Sequence, residues 1–339
     1  MAGKYLENMR NDMISKDLHL VPDVFASDIL QKPTRDGFGL GTVEAGKNDP
    51  NVVVLCADLA ESTRAEWFQN SFPERFIEMG VAEQNMAATG AGMAAVGKVP
   101  YIASYAAFSP GRNYEQIRTT IALNEQKVII GGMHAGVSVG PDGATHQMLE
   151  DIGLMRMLPN MRVVNPLDAE EARKATLLAA TATGPTYIRY GRAGTPVITT
   201  PETPFEFGKA LVLWKSEKPT LTIVSTGSLS YNALMASRAL EAEGIGSIVV
   251  HVHTIKPLDA DTIVTCAKAT GRVLTVEEHQ VAGGMGSAVA ELLSEQYPVK
   301  IQRLGLKDTF GQSGEPAELI SHYHLDAPGI ISEARTLLR

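Results

Sequence analysis

The 339-residue sequence is poor in cysteine, with only Cys56 and Cys266. Both lie in apolar stretches, so we interpret them as reduced thiols inside a hydrophobic core. Their separation matches no zinc-ligand spacing, which excludes a cysteine-based metal site. Hydrophobic residues make up 44% of the chain, a fraction that can build a sizeable core without disulfides.

The sequence also lacks a positive charge excess and any long apolar run. Its formal net charge is -8 at pH 7, and phosphate-backbone binding needs a basic face, so a nucleic-acid binder is excluded. No run reaches the roughly 20 apolar residues of a membrane span, and the N-terminus has no secretory apolar core. We therefore expect a cytoplasmic protein without a membrane partner. A few local arginines would still suffice to bind small anions.

What the sequence does contain is a regular alternation of apolar β-branched runs with helical patterns. This alternation predicts an α/β fold with largely parallel sheets. We expect two doubly wound α/β domains, residues 28–193 and 209–339, joined by a linker at 194–208 that is rich in proline and threonine. Residues 1–27 are polar and match neither unit, so we interpret them as an N-terminal arm.

The individual elements follow from the same pattern. Strands are predicted in the first domain at 52–57, 75–79, 100–104, 127–131, 161–165 and 186–190, with clear helices at 82–97 and 168–182. The second domain has predicted strands at 221–225, 247–253, 273–276 and 300–304, and helices at 230–243 and 287–296.

Two clusters of polar and aromatic residues follow predicted strands of the first domain. Glu83 opens a helix rich in alanine and glycine. A carboxylate is favoured there by the helix dipole alone, but the small residues would also allow a large group to pack close. Tyr105 and Phe108, followed by Arg112, suit either a core or the stacking faces for a flat ring.

A third cluster lies in the glycine-rich loop after the strand at 127–131. His134, Asp142 and His146 fall at the carboxyl end of a strand, where α/β sheets bind ligands. The two histidines cannot share one helix face and no third ligand is obvious, so the pattern predicts a polar site without a metal.

These segments together are similar to a known family. GVAEQNMAATGAGMA, YAAF, MHAGVSVGPDGATHQMLEDIGLMR and TYIRYGR resemble the pyrimidine-binding domain of the transketolase family, and TVEEHQVAGGMGSAVAELL resembles its C-terminal domain. The resemblance covers roughly residues 28 to 339. An ordinary transketolase begins with a diphosphate-binding domain that carries Gly-Asp-Gly and, later, paired asparagines. That motif is missing here, so the chain resembles the C-terminal subunit of a split, two-chain transketolase.

The resemblance implies roles for single residues around thiamine diphosphate. Glu83 matches the glutamate that hydrogen-bonds the aminopyrimidine ring, and Tyr105 and Phe108 match its stacking faces. Arg112 is counted with them as a cofactor-binding residue, but the Tyr-x-x-Phe pattern before it looks more like deoxyxylulose-phosphate synthase, which leaves its exact role open. The diphosphate and Mg²⁺ are expected mainly on the partner subunit.

Further positions match groups that bind the sugar phosphate. His134, Asp142 and His146 match residues that contact its hydroxyls and carbonyl, with the two histidines counted as catalytic beside Glu83. The phosphate would be held by Arg35, Ser62 and Arg192, because guanidinium groups pair with phosphate in bidentate fashion. Surface charge explains the arginines as an alternative, and a helix N-cap explains Ser62.

The resemblance implies transfer of a two-carbon ketol unit between sugar phosphates, as in pentose phosphate metabolism. The chain would act only with an N-terminal diphosphate-binding subunit, as a homodimer inside a heterotetramer. The alternatives are the β subunit of a 2-oxo acid dehydrogenase first component, a deoxyxylulose-phosphate synthase fragment, and a non-catalytic assembly subunit. The polar loop and the arginines favour sugars, and the joint presence of Glu83 and both aromatics argues against lost chemistry.

Overall fold

The computed structural model describes residues 13–339, which form two α/β units, each built on its own sheet. The first unit consists, in chain order, of β1 (Gln31–Lys32), α1 (Thr34–Asn48), β2 (Val52–Cys56), α2 (Ala60–Thr63), α3 (Ala65–Ser71), β3 (Phe76–Glu78), α4 (Glu83–Ala95), β4 (Val99–Tyr105), α5 (Tyr114–Gln116, continued by a π-helical turn at Ile117–Ala122), β5 (Ile129–Met133), α6 (Asp151–Met157), β6 (Arg162–Val164), α7 (Ala169–Thr181), β7 (Thr186–Tyr190) and β8 (Thr195–Pro196).

The second unit follows the same alternation. It consists of β9 (Leu211–Lys215), β10 (Pro219–Ser225), α8 (Leu229–Ala242), β11 (Gly246–His251), β12 (Thr254–Lys256), α9 (Ala260–Thr270), β13 (Arg272–Gln280), α10 (Met285–Gln296), β14 (Lys300–Leu306), α11 (Pro316–His322) and α12 (Ala327–Leu338). Every strand and helix predicted from the sequence overlaps one of these elements, and the predicted α/β fold class is confirmed.

The larger sheet has the strand order β12-β6-β7-β5-β4-β2-β3 and the smaller one β14-β13-β10-β11-β9. All neighbours pair in parallel except the edge strands β12 and β9. The central strands β2, β4, β5 and β7 are buried along their whole length, as expected when helices cover both faces of a parallel sheet. Their carboxyl ends therefore open at one common edge.

Helix α1 is an element that the sequence patterns did not predict. Its glycine-rich start lacks the side chains that give a helix its apolar period, but those glycines allow close packing on α7. A Cβ atom at Gly37 would lie 2.3 Å from the carbonyl oxygen of Ala169, and one at Gly41 would lie 2.5 Å from the Cβ atom of Thr176. The glycines thus bring the start of α1 close to the carboxyl edge of the sheet.

The two units share more than a linker. Strand β12, within the range predicted for the second domain, pairs antiparallel with β6 of the first sheet. Across the interface, Glu171 accepts a hydrogen bond from Nε2 of His251 at 2.8 Å, with both side chains buried. The predicted linker is held as well, because Asp168 accepts hydrogen bonds from the backbone N–H groups of Ile198 and Thr199.

The described part of the predicted N-terminal arm packs on the second unit. Leu18 and Val24 are buried in its core, and Phe25 lies edge-on against Trp214 with ring centroids 6.3 Å apart. Residues 1–12 of the arm lie outside the described residues. Among residues 13–339, the structure has no helix that is both long and apolar enough to span a bilayer.

Candidate functional site

The residues predicted from the sequence meet at the carboxyl edge of the larger sheet. They come from segments after β2, β3, β4, β5 and β7 and from the start of α1, which is where open α/β sheets form ligand sites. Contacts link most of them in one series that runs through Glu83, Arg112, Phe108, Tyr105, His134, Arg35 and Ser62.

Glu83 lies at the first turn of α4 and is only 1% exposed. Its Oε2 atom accepts a hydrogen bond from Nη1 of Arg112 at 2.7 Å, and its main-chain oxygen accepts one from Nδ2 of Asn113 at 3.0 Å. Its Oε1 atom is buried and has no hydrogen-bond partner among residues 13–339. A buried acceptor without a donor is costly, so this oxygen is placed to receive a donor from a bound group.

The aromatic residues form the neighbouring wall. The rings of Tyr105 and Phe108 are nearly parallel, with an interplanar angle of 18° and centroids 6.0 Å apart. The ring of His146 meets that of Phe108 edge-on at 5.5 Å. The guanidinium of Arg112 lies 4.7 Å from the centroid of Phe108, so this arginine contacts both the aromatic wall and Glu83. A flat apolar ring would find stacking faces here.

His134 is buried in a left-handed backbone conformation with φ 54°, which is uncommon outside glycine. Nη1 of Arg35 lies 3.0 Å from its Nε2 atom. Because a guanidinium can only donate, Nε2 accepts and the ring proton resides on Nδ1. That Nδ1 atom is buried without a partner among the described residues. Burial, followed by the charges of Arg35 and Arg192, lowers the pKa of His134 to about 3, so it is neutral at physiological pH.

Positive charge is concentrated beside His134. Nη1 of Arg35 donates to the main-chain oxygen of Ser62 at 2.7 Å, whereas its Nε atom is buried without a partner among residues 13–339. Burial and then the charge of Arg64 lower the pKa of Arg35, although Asp36 opposes the shift and Arg192 adds to it. Ser62 lies within α2, whose N-cap is Leu59, so the N-cap interpretation of Ser62 is wrong.

Asp142 and Arg192 face each other at the rim. Nη1 of Arg192 lies 3.6 Å from Oδ1 of Asp142 and donates to the main-chain oxygen of Val139 at 2.8 Å. Both side chains are partly exposed, so the ion pair itself contributes little to stability and can open to a ligand.

Sequence reasoning missed three residues at this site. Arg64 adds a further guanidinium beside those of Arg35 and Arg192, and it donates to Asp36 at 2.9 Å. Gln147 is buried and its amide ties the histidine loop together, and Glu278 reaches that loop from the second unit. Arg64 and Gln147 lie within two residues of predicted positions, whereas the position of Glu278 depends on how the two units pack.

The arrangement offers groups that suit the pyrimidine side of thiamine diphosphate. The free Oε1 atom of Glu83 and the neighbouring rings provide an acceptor and stacking faces for an aminopyrimidine. Within residues 13–339, no group of three or more histidine, cysteine, aspartate or glutamate side chains is arranged to hold a metal ion.

Comparison with known proteins decides the family. The pyrimidine-binding domain of transketolase matches residues 31–197, and the transketolase C-terminal domain matches residues 208–330. The chain belongs to the transketolase family. The resemblance found in the sequence is thereby confirmed.

Relatives of this transketolase-family chain are of two lengths. A solved structure described as "Split gene transketolase, inactive beta4 tetramer" is 44% identical with a TM-score of 0.84, over 90% of this chain and 98% of that one. The 6-deoxy-6-sulfo-D-fructose transketolase subunit SqwH of Clostridium sp. (strain MSTE9) is 37% identical over 86% of this chain and 90% of its own length. By contrast, transketolase-like protein 2 of Bos taurus is 38% identical over 94% of this chain, which spans 50% of that protein.

The depressed pKa of His134 predicts a pH-dependent stability. The unfolded histidine binds a proton below about pH 6.5 and the folded one does not until about pH 3, so stability is lost as the pH falls through this window. We expect His134→Gln to reduce the loss of unfolding free energy between pH 7.5 and 5.0 by about 2 kcal/mol. Urea unfolding of both proteins at the two pH values measures this difference. Equal losses would show that His134 is not held neutral.

Proposed function

We propose that this chain is the C-terminal subunit of a split transketolase, which transfers a two-carbon ketol unit between sugar phosphates. The observation that carries the proposal is a set of three buried polar atoms without partners among the described residues. They are one acceptor, Oε1 of Glu83, and two donors, Nδ1 of His134 and Nε of Arg35. The acceptor suits the cofactor and the donors suit an oxygen-rich, anionic substrate.

On the cofactor side, bound thiamine diphosphate would supply the nucleophilic carbon for ketol transfer. Glu83 would hold a proton between its Oε1 atom and the pyrimidine nitrogen, while Arg112 keeps the other oxygen fixed at 2.7 Å. Tyr105 and Phe108 would stack on the pyrimidine and exclude water from its face. Together they would fix the ring in a single orientation.

On the substrate side, the proton position on His134 is set by Arg35. Its Nδ1–H group would donate to a sugar oxygen, and His146, packed against Phe108, would act at the reacting end. Asp142 would accept hydrogen bonds from sugar hydroxyls. Arg35, Ser62 and Arg192 would bind the phosphate, with Arg64 contributing to the positive potential.

A partner subunit would complete the site. Helix α4 begins at Glu83, and its outer face exposes small residues such as Ala88 and Gly92. Two exposed valines flank the helix, Val81 with 69% and Val96 with 79% of the residue surface accessible to solvent. Exposed apolar surface of this kind is typical of protein interfaces. The chain spans half the length of some relatives and nearly all of others. We therefore propose a homodimer of this subunit within a heterotetramer whose N-terminal subunit holds the diphosphate and Mg²⁺.

Reconstitution tests the proposal directly. Because the diphosphate-binding motif is missing, the chain alone should not turn over a ketose phosphate in the presence of thiamine diphosphate and Mg²⁺. Addition of a chain that carries Gly-Asp-Gly and the paired asparagines should restore turnover, and light scattering should show self-association of this chain. Full activity of the chain alone would contradict the split-enzyme assignment. Turnover of 2-oxo acids instead of sugar phosphates would contradict the substrate assignment.

Two substitutions separate phosphate binding from action at the reacting end. Arg192→Ala should lower kcat/KM for phosphorylated substrates by about 10- to 100-fold, because it removes a charge-assisted contact worth about 1.5–3 kcal/mol. Unphosphorylated substrates should be little affected. His146→Ala should lower kcat/KM for both classes, since it is assigned to the end that reacts. The assignments fail if Arg192→Ala affects both classes equally.

A further inference from the structure

The loop that carries the candidate sugar-binding residues is held by the second unit. Glu278, near the end of β13, is 6% exposed, and its Oε1 atom accepts a hydrogen bond from the backbone N–H of Ser138 at 2.6 Å. Its carboxyl group also lies against Gly136, where an added Cβ atom would be 2.4 Å from it. Gly136 has φ 92°, a conformation that glycine adopts without strain.

The two loop residues that Glu278 contacts, Gly136 and Ser138, follow His134 by two and four positions, and the backbone of His134 is strained. His134 has a left-handed backbone, and a non-glycine residue keeps such a conformation only when its surroundings enforce it. On the strand side, β5 and Arg35 restrain His134. On the loop side, the backbone N–H groups of Ala135 and Gly136 donate to other main-chain oxygens. The turn at 136–138 follows, and the side chain from the second unit that binds its backbone is that of Glu278.

The rest of the loop is anchored by Gln147. Its amide nitrogen donates to the main-chain oxygens of Val137 and Gly140 within the loop, and to that of Gln312 in the second unit. The loop from 134 to 147 is thus closed on itself and tied to the second unit at both ends.

Arg189 of the first unit contacts Glu278 across the interface. Nη2 of Arg189 donates to its main-chain oxygen at 2.8 Å, while Nε of the same arginine donates to Asp151 at 2.9 Å. Burial raises the pKa of the Glu278 carboxyl, and the positive charge of Arg189 opposes that shift. The hydrogen bond from the backbone N–H of Ser138 also opposes the rise in the pKa of Glu278, so the loop and this carboxyl group constrain each other.

We propose that Glu278 is a positioning residue, through which the C-terminal domain fixes the 136–138 turn and thereby the orientation of His134. The role of His134 toward sugar rests on the proposed function, but the restraint on the loop does not. Glu278 is not expected to touch substrate or cofactor itself.

The neighbouring residue provides a matched control. Glu277 is also buried, also has a pKa raised by burial, and lies on the same strand. Its carboxylate accepts hydrogen bonds from the backbone N–H groups of Met285 and Gly286 at the start of α10, within its own unit. Substitution of Glu277 therefore tests the general cost of losing a buried carboxylate in β13.

The experiment compares Glu278→Gln with Glu277→Gln in the full chain. Hydrogen exchange followed by mass spectrometry should show faster exchange in peptides covering 134–147 for Glu278→Gln alone. In the reconstituted complex, Glu278→Gln should lower kcat/KM for a ketose phosphate about tenfold. This is the fold-change that corresponds to replacing a charged hydrogen-bond acceptor with a neutral one. Glu277→Gln should leave kcat/KM near the wild-type value. If Glu278→Gln does not fold, Glu278→Asp, which retracts the carboxylate from Ser138, should give the same pattern.

The two measurements fail independently. A reconstituted complex without sugar-phosphate turnover would overturn the proposed function but not the restraint, which the exchange experiment tests in the chain alone. Loop exchange that is unchanged by either Glu278 substitution, or accelerated equally by Glu277→Gln, would overturn the positioning role. Faster loop exchange with unchanged kcat/KM would also overturn it, because the restraint would then have no effect on His134.

Discussion

A buried carboxylate with one paired and one unpaired oxygen is the constraint on which the site depends. Oε2 of Glu83 is held by Arg112 at 2.7 Å, whereas Oε1 has neither water access nor a donor among residues 13–339. The fold tolerates this cost because α4 begins at that point and because Arg112 balances the charge. A donor from a bound pyrimidine would relieve the cost, so this geometry would favour binding of the cofactor.

The remainder of the structure places complementary groups around this carboxylate. Parallel strands bring five loops to one edge, and tight α1–α7 packing brings Arg35 to the edge as well. The second unit provides no predicted site residue, yet Glu278 and the backbone of Gln312 hold the loop that carries His134. The C-terminal domain is thus hydrogen-bonded to the site, although its residues lie far from the site residues in sequence.

The sequence was sufficient for the fold class and for most strands, because buried parallel strands are long apolar runs. It also placed Glu83 correctly at the start of a helix. Helix α1 was missed because its close packing uses glycines, which erase the apolar period. The pairing of Arg112 with Glu83 was missed because it joins residues 29 apart through the loop after β4. Glu278 was missed because nothing local marks a carboxylate whose partner, Ser138, lies 140 residues away.

We propose that Glu83 activates the cofactor rather than merely starting a helix. The most direct test is the rate at which the C2 proton of thiamine diphosphate exchanges with solvent in the reconstituted complex, followed by NMR. Glu83→Gln should slow this exchange by about 10²-fold or more, the usual scale for a positioned acid–base group, whereas His146→Ala should leave it near the wild-type rate. Exchange at the wild-type rate in Glu83→Gln would contradict the account.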